Sequence, residues 1–97
     1  MVINVEVKFL GVFRQFSGRR RILVKLEEPA TVRKAIEKLT EAFSSEFKQA
    51  LVDPELEDPQ PNALILVNGK EISVLQRLET EVEDGDEIAL VPVSHGG

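Results

Sequence analysis

Asp84-Gly85-Asp86-Glu87-Ile88-Ala89-Leu90-Val91-Pro92-Val93 is the stretch on which the fold turns. Its first three residues read as a tight turn, two carboxylates flanking a glycine. Residues 87–93 then read as a strand that is apolar on both faces, with Ile88 and Leu90 on one side and Ala89, Val91 and Val93 on the other. Ala63-Leu64-Ile65-Leu66-Val67 has the same character. The Asn68-Gly69 pair after it is a strong hairpin signal, which returns the chain into a short strand over 70–73. Continuous apolar strands suit a sheet covered on both faces.

Toward the N-terminus, Ile3, Val5, Val7 and Phe9 alternate with Asn4, Glu6 and Lys8, the period of a half-buried strand. Ile22, Val24 and Leu26 give a second, and residues 11–18 between them read as a turn, so the two are expected to pair as a hairpin with a longish loop. Thr31 is a candidate N-cap. Val32, Ala35, Ile36, Leu39, Phe43 and Phe47 trace one face of a helix over 32–47, about four turns. Arg33 and Lys34 oppose the dipole at its start, and contact with a partner is one explanation for them. Asp53-Pro54, Asp58-Pro59 and Pro61 make residues 48–61 an irregular acidic loop, tucked onto the body by Leu51, Val52 and Leu56. Leu75 and Leu78 are expected to anchor a turn-rich segment.

The expected architecture is α+β: one domain, residues 1–97, with a mixed four- to five-stranded sheet packed on one main helix and a flexible tail over 93–97. One helix covers one face of such a sheet. The other face, carrying Ala89, Val91 and Val93, is either a partner-docking surface or is covered by the acidic loop. At about 25 cal/mol per Å² of apolar surface, exposed Val and Leu side chains favour association, and docking is the expectation carried forward.

Composition excludes most chemistries. With 97 residues there is room for a single core. A net charge of −5 argues against nucleic acid and against an anionic membrane surface as partners. The longest apolar run, Ala63–Val67, is far short of the roughly 20 residues of a membrane span. The start of the chain lacks a basic segment followed by an apolar one, so a cytoplasmic location is expected. Absence of cysteine removes disulfides, thiolate metal sites and thiol nucleophiles. His95 is the single histidine, which leaves no catalytic triad and no metal site. Arg14, Arg19, Arg20 and Arg21 form either a site for an acidic partner or phosphate, or a solvated turn. No catalytic residue, metal or bound cofactor is therefore expected.

What remains is the carboxylate of Gly97, a handle for another enzyme to activate. The four to six residues after the last strand reach roughly 14–20 Å when extended, enough to enter a partner's active site. Ser94, His95 and Gly96 would enter with Gly97, and Gly96-Gly97 slims the tip because glycine has no Cβ.

Val7-Lys8-Phe9-Leu10-Gly11-Val12-Phe13-Arg14 with Gly18, Ala30-Thr31-Val32-Arg33, Val67-Asn68-Gly69-Lys70 with Leu78 and Val82, residues 84–93 and Gly96-Gly97 together resemble one family. It is the β-grasp, ubiquitin-like sulfur carriers, in particular the small subunit of molybdopterin synthase (MoaD) and its relative ThiS. The resemblance implies that an E1-like enzyme uses ATP to adenylate the Gly97 carboxylate, which is then converted to a thiocarboxylate. It implies sulfur delivery to the molybdopterin synthase large subunit, or, in ThiS-type members, to thiamin thiazole synthesis. Relatives joined through the same glycine to lysines of target proteins imply a modifier role as the alternative. A non-covalent interaction module is the reading from another class. Where the family tail has two consecutive prolines before its last residues, this one has Pro92 alone and places His95 next to Gly96-Gly97. The loop over 48–62 is also longer than compact members require.

Overall fold

The computed structural model describes residues 1–53, 55 and 57–93. In chain order the first elements are β1 (Val2–Phe9), α1 (Gly11–Ser17), β2 (Arg21–Glu27), β3 (Ala30–Thr31), α2 (Val32–Ala42) and α3 (Ser45–Leu51). They are followed by β4 (Ala63–Val67), β5 (Lys70–Glu71), two 3-10 turns at Ile72–Val74 and Arg77–Glu79, β6 (Glu81–Val82) and β7 (Glu87–Pro92). The main sheet runs β2-β1-β7-β4-β5, and β3 pairs with β6 beside it. β7 is parallel to β1, and the other pairs are antiparallel. This is the expected α+β, β-grasp arrangement, a mixed five-stranded sheet with α2 as its longest helix.

Alternation in β1 buries Ile3, Val5, Val7 and Phe9 against the helices, and the same side of β7 and β4 adds Ile88, Leu90, Ala63, Ile65 and Val67. Asn68 and Gly69 both take positive φ, 50° and 85°, the backbone of a hairpin turn whose twist matches its strands. Thr31 caps α2 as expected, its Oγ1 accepting the Lys34 N–H at 3.3 Å. Arg33 donates to Glu79 at 2.6 Å and Lys34 to the Pro29 carbonyl at 2.5 Å. These bonds account for both cations at the helix start without any partner, and the Glu79 contact raises the Arg33 pKa further.

Four expectations need correction. Most of the turn expected over 11–18 is a helix, Gly11–Ser17. Two helical turns are too short to show an apolar repeat, and α1 is held by the fully buried Phe13 and ended by Gly18 at φ 71°. The helix over 32–47 is two helices. Phe43 is extended, and Ser44 restarts the chain by accepting the Phe47 N–H at 3.3 Å, the local competition that serine offers a helix interior. The break turns Phe47 into an aromatic cluster, with ring centroids 5.6 Å from Phe9, 5.1 Å from Phe43 and 6.3 Å from Phe13. The strand expected over 70–73 ends at Glu71, where a 3-10 turn begins, and the Glu71 carboxylate caps it by accepting the Ser73 N–H. Leu78 is buried, but Leu75 is 38% exposed and lies outside the core.

α3 runs into the acidic stretch as far as Leu51, which is fully buried. Beyond it Asp53 bridges to Asp58, and Asp53, Glu57 and Pro59 share a cleft with Arg33, Ile36 and Glu37. The described part of this loop therefore lies on the helical layer and leaves the opposite sheet face alone. Leu56, expected to help tuck the loop, lies outside the described residues.

Phe47 is the side chain that joins α1, α3 and β1. Phe47→Ala should lower unfolding free energy by about 3–5 kcal/mol in urea denaturation. Phe16→Ala, at a position 41% exposed, should change it by only about 0.5 kcal/mol.

Candidate functional site

β7 is the middle strand of the sheet, so both its neighbours fix where it ends. At its start the Asp84-Gly85-Asp86 turn clasps β1 and β4. Asp84 accepts the Asn4 N–H at 2.7 Å, and the Gly85 N–H donates to the Asn4 carbonyl at 2.9 Å. Asp86 accepts the Glu83 N–H at 2.7 Å through one oxygen and the Asn68 side-chain amide at 3.0 Å through the other. Asn68 in turn accepts the Glu87 N–H at 2.9 Å. The carboxylates of this motif are occupied with chain geometry, and among the described residues no group of metal-ligating side chains gathers.

The other end of β7 forms the root of the tail. The Leu10 N–H donates to the Leu90 carbonyl at 3.1 Å, and Pro92 stands opposite Ala63. The Val93 N–H donates to the Asn62 carbonyl at 3.1 Å, so the backbone is held by the residue just before β4. On the opposite side Gly11 takes φ 54°, and a Cβ there would lie 2.6 Å from Cγ of Pro92. The chain thus leaves the sheet through a gap bounded by the start of α1 and the start of β4. Ser94, His95, Gly96 and Gly97, named above for entry into a partner and for modification, lie outside the described residues.

Ala89, Val91 and Val93 face away from the helices, on the side the expectation gave them. Ala89 and Val91 are half-buried and Val93 is 40% exposed. Leu64, 38% exposed, pairs with Val91, and Leu66 pairs with Ala89. The sequence signal for these two leucines was the continuous apolar run in β4, but only the pairing register brings them beside β7. Exposed ion pairs border the patch: Lys8 with Glu87 and Arg21 with Glu6, each at 3.4 Å. Such exposed pairs contribute little stability, but they make a polar rim to an apolar centre.

The remaining arginines separate. Arg21 is taken up by Glu6, whereas Arg14, Arg19 and Arg20 stand around an open depression that also includes Gly11 and Gly18. Among the described residues no helix is long and apolar enough to cross a membrane.

Residues 7–97 match the model of the ThiS family. A putative sulfur carrier protein of Archaeoglobus fulgidus is 37% identical over 71 residues, covering 72% of this chain and 77% of its own. The structure of small archaeal modifier protein 1 from Methanosarcina acetivorans superposes with a TM-score of 0.85 at 26% identity, covering 100% of this chain and 99% of that one. A putative molybdopterin converting factor, subunit 1, from Pyrococcus furiosus gives a TM-score of 0.75 at 27% identity, covering 95% and 99%.

The two glycines of α1 separate backbone strain from close packing at the tail root. Gly18 has open space around it, so Gly18→Ala should cost about 1 kcal/mol from its left-handed backbone alone. Gly11→Ala should cost about 2 kcal/mol or more, because Pro92 must also shift. Amide exchange at Val93 should quicken in the Gly11 variant and stay unchanged in the Gly18 variant.

Proposed function

The chain belongs to the ThiS family, and from that premise we propose that it is a cytoplasmic sulfur carrier whose Gly97 carboxylate is activated by an E1-like enzyme. The observation that carries this reading is the family match, which extends through Gly96-Gly97 rather than stopping at the folded body. Members of this family are small carrier or modifier proteins, not catalysts themselves, in keeping with a chain that has no cysteine.

In the proposed sequence the Gly97 carboxylate oxygen attacks the α-phosphorus of ATP, the bond to the β-phosphate oxygen breaks, and pyrophosphate leaves. A sulfide equivalent then attacks the acyl carbon, AMP departs with the electron pair, and a thiocarboxylate remains. ATP belongs to the activating partner, and the carrier contributes a positioned nucleophile. Ala89, Val91 and Val93, with Leu64 and Leu66 beside them, would seat the partner, while the Gly11–Pro92 contact aims the tail. His95 then lies just behind the reacting end. Delivery of the sulfur to a molybdopterin synthase large subunit is the destination we propose, supported by the similarity to a converting-factor subunit over nearly both chains.

A second reading has its own support. The likeness to an archaeal modifier protein, 26% identical over the whole chain, favours attachment of Gly97 to lysines of other proteins through the same adenylate. Intact mass after incubation with the E1-like enzyme of the same genome, ATP and a sulfide donor separates the two. We expect a gain equal to replacement of one oxygen by sulfur, lost when Gly97 is deleted. Gly97-linked lysines in digests of cell protein, with no thiocarboxylate, would replace the carrier reading by the modifier one. An unchanged mass with no adenylate would remove both.

A further inference from the structure

Charge is distributed unevenly along this chain. Residues 7–26 hold six of the twelve Lys and Arg and none of the seventeen Asp and Glu. The topology turns this segregation into two poles. β1 runs toward the tail root and β2 starts there, so Arg14, Arg19, Arg20 and Arg21 gather at that end of the sheet. At the opposite end β2 finishes with Glu27 beside Glu28, and the turn of β7 brings Glu83, Asp84 and Asp86 against Asn4.

The basic pole contains unused charge. Glu6 pairs with Arg21, but among the described residues no carboxylate or hydrogen-bond acceptor meets the side chains of Arg14, Arg19 or Arg20. Their depression includes Gly11, the residue against which Pro92 packs as the tail departs. Gly97 lies four residues after Val93, at most about 14 Å away. Any pocket that takes Gly97 must therefore open within that distance of the tail root, and its rim comes up against these arginines. Inside a partner contact of this kind the charges lie within about one Debye length, 8–10 Å, where they act with little screening.

We propose that Arg14, Arg19 and Arg20 form a collar that recognises an Asp- and Glu-rich rim around the pocket of the enzyme receiving the tail. The inference rests on the carboxyl-activation reading above. With the acidic pole at the far end, the charge separation also turns the molecule so that the tail leads on approach, which raises association rate more than it deepens the final complex. Nucleic acid is the rival occupant for a cluster of arginines, and the net charge of −5 opposes it.

Pyrophosphate exchange by the E1-like enzyme of the same genome tests the collar. Arg14→Glu, Arg19→Glu and Arg20→Glu combined should raise KM for this protein about tenfold or more at low salt, with kcat little changed. The three corresponding Gln changes should give an intermediate rise. The wild-type KM should climb with salt and the Glu variant's should not, while Glu83→Lys at the far pole leaves KM within about twofold. Far-ultraviolet circular dichroism establishes that each variant is folded. An unchanged KM and salt response in the folded triple variants would overturn the collar while leaving carboxyl activation standing. Loss of single-stranded RNA retention at unchanged KM would assign the arginines to nucleic acid instead. No exchange with the wild-type protein would overturn the carboxyl reading and the collar with it.

Discussion

Enclosure of Ile88 and Leu90 is the constraint on which the rest of this structure depends. Both side chains are fully buried, and they sit on the strand that lies between β1 and β4. Burying them requires a parallel neighbour on one side, an antiparallel neighbour on the other, and a helical layer across one face. A parallel pair cannot be closed by a tight turn, so the chain must travel from β1 through everything else before it returns as β7. The last strand of the described chain is therefore the one that holds the sheet together. The Asp84-Gly85-Asp86 clasp fixes where β7 begins, and the Gly11–Pro92 contact fixes where it ends.

The sheet was legible in the sequence because its signals are local. Period-two alternation in residues 3–9, the Asn68-Gly69 turn and the doubly apolar runs each declare themselves within a few residues. Thr31 as a cap was equally plain. The break after Ala42 was not, because Phe43 and Phe47 keep a helical spacing that disguises a change of direction. Ser44 was the available signal, and only the demand of Phe9 and Phe13 for a ring to pack against shows why the chain uses it. α1 was hidden for a related reason: one buried phenylalanine in seven residues makes no pattern. At the candidate site the alternation within β7 shows which side chains share a face, but the register that sets Leu64 opposite Val91 is a non-local fact.

The two faces of the sheet divide the labour. Helices, the aromatic cluster and the described part of the acidic loop all lie on one face, leaving the other with half-exposed aliphatic side chains inside a rim of ion pairs. Arg33 and Lys34, which resemble a recognition feature in the sequence, are consumed by Glu79 and Pro29 on the helical side. Arg14, Arg19 and Arg20, which meet no acceptor among the described residues, lie instead at the end of the sheet where β7 finishes. Apolar surface, the arginines of the Gly11 depression and the end of β7 are thus gathered in one part of the molecule.

The tail root has a consequence for concentration. Pro92 is packed against Gly11 and the Val93 N–H is tied to Asn62, so the backbone is fixed up to a point four residues before Gly97. In the carrier role proposed above, a partner holding the sheet face would keep the Gly97 carboxylate within about 14 Å of that point. Under that proposal so short a span would give the Gly97 carboxylate an effective concentration in the millimolar range or above, whatever the amount of protein in the cell. Every residue added between Val93 and Gly97, or any loosening of the Pro92–Gly11 packing, would dilute the proposed reacting end without altering the docking face.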